Sequence, residues 1–324
     1  MPSTLEGMAH GMKAAKLALQ VSAVKTLILS TVTVKRKRLT MPKNASIELP
    51  SPAKINLWLR VLGKRDDGYH EVHTRLVKLA VADKVRLALS EQPGISLTCN
   101  VPDIPTDGAN LAVRALQALE AKVNLQQGWS IHLEKHIPHG AGLGGGSSNA
   151  AITLKAANEL LGHPLRLEQL LDIAASIGSD VPFFLLDAAA ADGQGRGERV
   201  IPADVAWRLP LVRIKPAFPL PTPWAYQRWA LSQELPGVLY APQLCPWGEM
   251  VNHLERPVFE KYRLLPALKT WLLAQEGVRA ALMSGSGSTV FAITDSDVRA
   301  AALAEQARDY CGETAWVCAT RTAV

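Results

Sequence analysis

From about residue 47 onward, the apolar and polar positions read as interleaved strands and helices. Ile55, Leu57, Leu59 and Val61 alternate with Lys54, Asn56, Trp58 and Arg60, a period of two that predicts a strand. Lys54 and Asn56 then share the face opposite Ile55 and Leu57. Asp66-Asp67-Gly68 supplies a turn, and two further strands are expected over 72–79 and 84–89. Leu111, Ala115, Leu116 and Leu119 have helical spacing and predict a helix over 110–123. A strand follows over 129–135, then helices over 148–161 and 167–177, the second stopped by Gly178. The later chain predicts helices over 256–262, 265–276 and 296–310 and strands over 278–283, 289–293 and 313–320. Strands and helices interleave without a regular βαβ repeat, so the expected class is α+β.

Length and prolines suggest how this is divided. A chain of 324 residues is long for one domain and comfortable for two. Pro202, Pro216, Pro219, Pro221 and Pro223 cluster where the second would begin, so domains are expected over 46–206 and 207–324. Residues 1–40 are read as a separate basic extension, loosely helical or without fixed structure. Met41 stands beyond it as an alternative translation start. Organelle targeting or surface binding are the functional readings of the extension, because basic residues with almost no acid suit both.

Charge changes the picture only once it is located. The formal net charge is +6, yet seven basic residues and the single acid Glu6 of positions 1–40 account for all of it. The remaining chain holds 28 basic and 28 acidic residues, which removes the main support for a nucleic-acid-binding body. Cys99, Cys245, Cys311 and Cys318 show no CxxC spacing, so neither a zinc site nor a disulfide framework is expected. The apolar stretch over 17–33 is interrupted by Gln20, Ser22, Lys25 and Thr26, and no membrane span is expected. A cytoplasmic location fits, or a plastid one if residues 1–40 are a transit segment.

The chemistry concentrates in Pro138-His139-Gly140-Ala141-Gly142-Leu143-Gly144-Gly145-Gly146-Ser147-Ser148, between a predicted strand and a predicted helix. Glycines leave backbone amides unscreened and free to adopt positive φ. Ser147, Ser148 and Asn149 are read as the helix's capping residues, with its free N–H groups pointing into the loop. Such a cradle binds anions, and a triphosphate is its natural occupant. Without a terminal Lys-Ser/Thr it is not a Walker A loop. Without an acid at the end of a following strand it is not a dinucleotide fingerprint. The HRD and DFG signatures of protein kinases are also missing.

Three segments in order resemble the motifs of the GHMP kinases: Ser51-Pro52-Ala53-Lys54-Ile55-Asn56-Leu57, the glycine loop, and 282–291 containing Ser284-Gly285-Ser286-Gly287-Ser288. The resemblance runs from about residue 47 to the C-terminus. It implies a ribosomal-protein-like N-terminal domain and a ferredoxin-like C-terminal domain with the active site in the cleft between them. It further implies ATP as phosphoryl donor, Mg²⁺ with it, and Gly285, Ser286 and Gly287 supporting the phosphate site. Asp180 would be the base that takes the acceptor's proton, with Lys54 as its partner; by position alone, Ser179 and Asp180 read as a helix cap before Pro182. Ser147 and Ser148 are the candidate magnesium ligands, the rest of the shell being unassigned.

Gly68-Tyr69-His70-Glu71-Val72 and Pro221-Thr222-Pro223-Trp224-Ala225-Tyr226 resemble the branch of that family whose acceptor carries a cytidine diphosphate. Asn56, Tyr69, His70, Thr222 and Tyr226 would bind this acceptor, with Tyr226 stacking on the base where phenylalanine is more usual. Asn252-His253-Leu254-Glu255 resembles a further stretch of the branch, with His253 replacing an aspartate, and carries no assigned role. The implied reaction is phosphorylation of the 2-hydroxyl of a cytidine-diphosphate-linked methylerythritol in non-mevalonate isoprenoid synthesis, by a monomer or homodimer with no nucleic-acid or membrane partner. The alternatives are another GHMP small-molecule kinase, such as one acting on homoserine, and a catalytically silent nucleotide-binding module.

Overall fold

Two long strands, β1 (Ser46–Lys64) and β2 (His70–Ser90), pair antiparallel from Ser46 opposite Ala88 to Lys64 opposite His70. They belong to a computed structural model that describes residues 45–323; the expected extension over 1–40 lies outside the described residues. The two short strands expected over 72–79 and 84–89 are one continuous β2. The break in the apolar pattern is Asp83, which is fully buried rather than in a turn. β3 (Ile95–Cys99), β4 (Gly128–Glu134), β5 (Ala190–Gln194), β6 (Arg199–Ala203), β8 (Gln243–Cys245) and β9 (Gly248–Asn252) complete the sheet. Its main path is β3-β4-β2-β1-β9-β8, with β5 pairing β2 and β6.

Helices α1 (Leu111–Val123), α2 (Gly145–Leu160) and α3 (Leu167–Ile177) join a core with Leu76, Val85, Leu87 and Trp129 of the sheet. The short α4 (Val181–Leu185) adds Phe183 and Phe184 to it. Asn110 starts α1 by accepting from the Ala112 N–H, and Asn124 ends it in the left-handed conformation. α2 begins at Gly145, three residues before the expected start. Gly144, at φ 69°, is the N-cap, so Ser147, Ser148 and Asn149 lie inside the first turns rather than capping them.

The second sheet has the order β10-β11-β7-β12, every neighbour antiparallel: β7 (Pro210–Lys215), β10 (Val278–Met283), β11 (Val290–Thr294) and β12 (Trp316–Arg321). β7 was hidden by its flanking prolines, yet Pro210 opens the strand and Pro216 follows it, where proline is tolerated. α5 (Thr222–Trp229), α6 (Glu255–Lys261), α7 (Leu264–Leu273) and α8 (Asp297–Cys311) complete the chain. Val212, Ile214 and Ala281 pack on Leu268 and Leu303 of α7 and α8. Leu211, Leu282 and Phe291 cluster instead with Ile55, Leu57, Val77 and Leu79 of the ribbon. Taken as β7, helix, β10, β11, α8, β12, this half is ferredoxin-like. β9 returns to pair parallel with β1, Trp58 opposite Val251, so chain beyond the proline cluster serves both sheets. Among the described residues no helix is long and apolar enough to cross a membrane.

Asp83 fastens the glycine loop to the ribbon. One carboxylate oxygen accepts from the His136 and Ile137 N–H groups at 2.7 and 2.8 Å. The other accepts from Lys135 and from Asn149 Nδ2, the latter at 3.1 Å. Lys135 also donates to Asn149 Oδ1 at 2.9 Å, and Asn149 Nδ2 to Ser51 Oγ at 2.9 Å. Removing one partner of such a buried pair leaves the other's charge uncompensated and costs about 3–5 kcal/mol. Asp83→Ala is therefore expected to lower the unfolding free energy by that amount, read from chemical denaturation. A loss under about 1 kcal/mol would show that the network does not hold the fold.

Candidate active site

The glycine loop, 138–144, leaves β4 and enters α2 with its residues sorted by size. Ala141 and Leu143 turn inward, 3% and 1% exposed, into the core between the sheets. Gly140, Gly142 and Gly144 face a cavity of about 470 Å³, together with Ser147. Within α2 the Ser148 N–H already donates to the Gly144 carbonyl at 2.8 Å. The N–H groups ahead of it, on Gly145, Gly146 and Ser147, belong to the first turn and have no partner within the helix. The helix entrance thus presents donors and a partial positive charge at the cavity. Of the other loop residues expected to bind ATP, Ser148 is fully buried and accepts from Ser51 Oγ at 2.8 Å. Pro138, His139, Gly145 and Gly146 are not among the lining residues.

Opposite the loop, Lys54 projects from β1 with a side chain only 4% exposed. Both faces of β1 are therefore covered here, with Lys54 and Asn56 buried like Ile55 and Leu57 on the opposite face. Lys54 Nζ donates to Asn56 Oδ1 at 2.8 Å and pairs with Asp180 Oδ2 at 3.4 Å. Asn56 Nδ2 donates to Thr74 Oγ1 at 2.8 Å, and Thr74 donates to the Trp58 carbonyl at 2.6 Å. Both ends of the Asn56 amide are thereby engaged, which fixes the Lys54 ammonium. Asp180 occupies the N-cap position of α4 but makes no side-chain cap hydrogen bond. Its carboxylate turns to Lys54 and the cavity, so capping does not explain its presence.

The third motif closes over the loop. Ser284 Oγ donates to the Gly142 carbonyl at 2.9 Å, and the Thr289 N–H to the Ala141 carbonyl at 3.3 Å. Gly142 has φ +73°, and a Cβ there would lie 2.2 Å from the Ser284 carbonyl oxygen. Gly285, Ser286 and Gly287 line the same cavity, and the hydroxyls of Ser286 and Thr222 share a hydrogen bond of 2.7 Å. The Asn252 stretch, unassigned by sequence, anchors this segment. Asn252 Nδ2 donates to the Met283 and Gly285 carbonyls, both at 2.7 Å, and Glu255 Oε1 accepts from the Met283 N–H at 2.8 Å.

The same cavity is lined by Tyr69, His70 and Tyr226. The His70 ring lies 5.4 Å from Tyr226, tilted by 34°, with Trp229 edge-on behind it at 6.2 Å. Burial, with Lys64 nearby, pushes the His70 pKa below its ordinary value and keeps the imidazole neutral at pH 7. Burial and the charge of Asp180 push the Tyr226 hydroxyl up, so it too is neutral. His253 stacks on Trp229, rings 6.5 Å apart and 7° from parallel, while the Val61 N–H donates to its Nδ1 at 3.1 Å. Sequence reading missed Thr74, Ser179, Arg196 and Gln227 as lining residues. Arg196 sits in Gly195-Arg196-Gly197, two glycines around a cation, the one signal that marked it.

Magnesium takes most of its ligands from water and phosphate oxygens and asks for only one or two protein groups. The Ser147 hydroxyl at the helix entrance and the Asp180 carboxylate both face the cavity and fit that requirement. Ser148, buried and engaged by Ser51, does not.

Residues 110–188 match the family model of the GHMP kinases N terminal domain, and residues 243–313 that of the GHMP kinases C terminal. A 4-diphosphocytidyl-2-C-methyl-D-erythritol kinase of Methylacidiphilum infernorum is 40% identical over 274 residues, spanning 82% of this chain and 93% of that relative. One of the same name from Protochlamydia amoebophila is 40% identical over 257 residues, 79% of this chain and 87% of its own. A crystal structure of a 4-(cytidine 5'-diphospho)-2C-methyl-D-erythritol kinase superposes with a TM-score of 0.69 at 34% identity, covering 86% of this chain and all of that one. A homoserine kinase from Cytophaga hutchinsonii, at 19% identity and TM-score 0.62, shares the fold. With its α+β architecture and ferredoxin-like second half, the chain belongs to the 4-diphosphocytidyl-2-C-methyl-D-erythritol kinases of the GHMP kinase family.

Proposed function

We propose that this protein transfers the γ-phosphoryl group of ATP to the 2-hydroxyl of 4-diphosphocytidyl-2-C-methyl-D-erythritol. The observation that carries the proposal is a single cavity with three parts: a helix entrance with free amides, a Lys54–Asp180 pair 3.4 Å apart, and an aromatic group of Tyr69, His70 and Tyr226. Phosphoryl transfer needs positioning, offset of developing charge and a proton acceptor. In this reading the Ser147 N–H at the helix entrance and the cavity-lining backbone of Gly140, Gly142 and Gly144 hold the donor's terminal phosphates. Asp180 takes the proton of the acceptor hydroxyl as the P–O bond forms. Lys54, held by Asn56, orients Asp180 and stabilises the negative charge growing on the attacking oxygen. Mg²⁺, if held with the donor by Ser147, would neutralise its phosphates. His70 and Tyr226 offer cytosine an acceptor for its amine and a π-face to stack on, while Thr222 and Ser286 close the phosphate side.

Two outcomes test these roles. Asp180→Asn should lower kcat by about 10²–10⁴-fold, the usual worth of general-base catalysis, and leave the ATP KM nearly unchanged. A coupled ADP-release assay reads this, with homoserine and mevalonate as control acceptors; a variant that keeps most of its kcat excludes Asp180 as the base. The second outcome concerns pH. The His70 pKa lies below its ordinary 6.5, so the neutral ring dominates above that pH and protonation sets in only below it. Acceptor KM should stay flat from about pH 8 to 6.5 and rise on further acidification. A rise already complete at pH 7.5 would contradict recognition by neutral His70.

A further inference from the structure

We infer that Arg196 is a specificity-determining residue that reads the acceptor's diphosphate, the charged linker between its base and its reacting alcohol. The inference rests on the acceptor class proposed above and adds a residue that neither the motifs nor the comparisons single out. With His70 neutral, the charged side chains lining the cavity are Lys54, Asp180 and Arg196. Lys54 is committed to Asp180 and Asn56. A diphosphate brings negative charges that must be offset or left hydrated, and Arg196 is the lining cation placed to do so.

Its position suits the task. Arg196 lies on the turn between β5 and β6, where Gly195 and Gly197 have φ of +74° and +105°. Its guanidinium packs over the Tyr69 ring, 4.8 Å from the centroid, and Nη2 donates weakly to the Ala175 carbonyl at 3.4 Å, near the end of α3. A Cβ on the next residue, Gly197, would lie 3.8 Å from Ser179 Cβ, beside Asp180. Arg196 therefore lines the same cavity as Tyr69 and the Lys54–Asp180 pair, on a turn that runs beside Ser179. Its nearest carboxylate, Glu198, is 3.7 Å from Nε, beyond hydrogen-bond distance, and accepts instead from the Arg196 N–H at 2.7 Å. The side chain is 29% exposed. A guanidinium stacked on an aromatic face keeps its edge donors for a phosphate, whose geometry they match.

Glu71, in the Tyr69-His70-Glu71 motif, keeps this turn in register. Its Oε2 accepts from Arg65 Nη1 at 2.7 Å, and its Oε1 accepts from the Gly195 N–H at 3.0 Å. The Val72 N–H donates to the Gly195 carbonyl at 2.7 Å. The hairpin that carries Tyr69 and the turn that carries Arg196 are thus joined as one wall.

The test compares CDP with cytidine by titration calorimetry at saturating non-hydrolysable ATP analogue, so that neither ligand enters the donor site. Wild type should bind CDP roughly tenfold or more tightly than cytidine, the difference one charged hydrogen-bonded contact makes. Arg196→Met should shrink that preference to about twofold while cytidine affinity holds, and Arg196→Lys should fall between. In turnover, Arg196→Met should raise the acceptor KM with the ATP KM unchanged. Equal loss of CDP and cytidine affinity would mean that Arg196 only props Tyr69, and a full CDP preference in Arg196→Met would mean that the charge is read elsewhere; either overturns the inference. A wild type that binds neither ligand overturns the proposed acceptor itself, and the inference falls with it.

Discussion

The fold's chemistry depends on one buried carboxylate. Asp83 sits in the middle of β2 with no exposure, and its two oxygens receive the two backbone amides that begin the glycine loop, the Lys135 ammonium and the Asn149 amide. The loop's start and the helix that follows it are thereby tied to one strand, with Ser51 of β1 joined through Ser148 and Asn149. A loop rich in glycine loses much conformational entropy on ordering. Fixing both its ends supplies the order that its own side chains cannot. Burying the charges is tolerable because each has several partners, whereas a half-satisfied network would cost more than an apolar core.

From that fastening the remaining geometry follows by close approach. Ala141 and Leu143 are drawn into the inter-sheet core, which turns the glycines between them toward the cavity. The Ser284 loop can then lie against Gly142 at a distance no side chain would permit. Lys54 enters from the ribbon, its own N–H donating to the Leu143 carbonyl at 2.9 Å. Three segments far apart in the chain meet around one ammonium, so the positions of Lys54 and Asp180 are set mainly by backbone contacts. That rigidity suits a reaction in which the protein forms no covalent bond and supplies placement and charge.

What could be read from the chain and what could not divide along physical lines. Period-two alternation identified β1, and glycine density singled out the loop that lines the cavity, because both are local signals. β2 was split in two because a buried aspartate looks like a turn when its partners, residues 135–137 and 149, are out of view. β7 was overlooked among prolines although it is an interior strand of the second sheet. The start of α2 was misplaced for a similar reason: Ser147 and Ser148 have the chemistry of caps, but a left-handed Gly144 had already begun the helix. Thr74 and Arg196 carry no motif at all. Their place in the cavity depends on strand register and on a turn that reaches it from the β5–β6 hairpin.

The distribution of charge around the cavity explains why donor and acceptor are handled by different means. Under the proposed function, the donor's phosphates would meet backbone amides and a helix dipole, whose partial charges need no counterion in the empty protein. The proposed reaction centre could not use the same device, because there Asp180 is to accept a proton and Lys54 is already paired with it. Any further anion brought by the acceptor would compete with Asp180 for that ammonium and draw it out of place. Arg196, a separate cation on the β5–β6 turn, would remove that competition. A neutral His70 fits the same proposal: a protonated ring would attract the acceptor's diphosphate and shift the alcohol away from Asp180. Fixed charges beside neutral aromatic rings would thus favour a single register for the proposed acceptor.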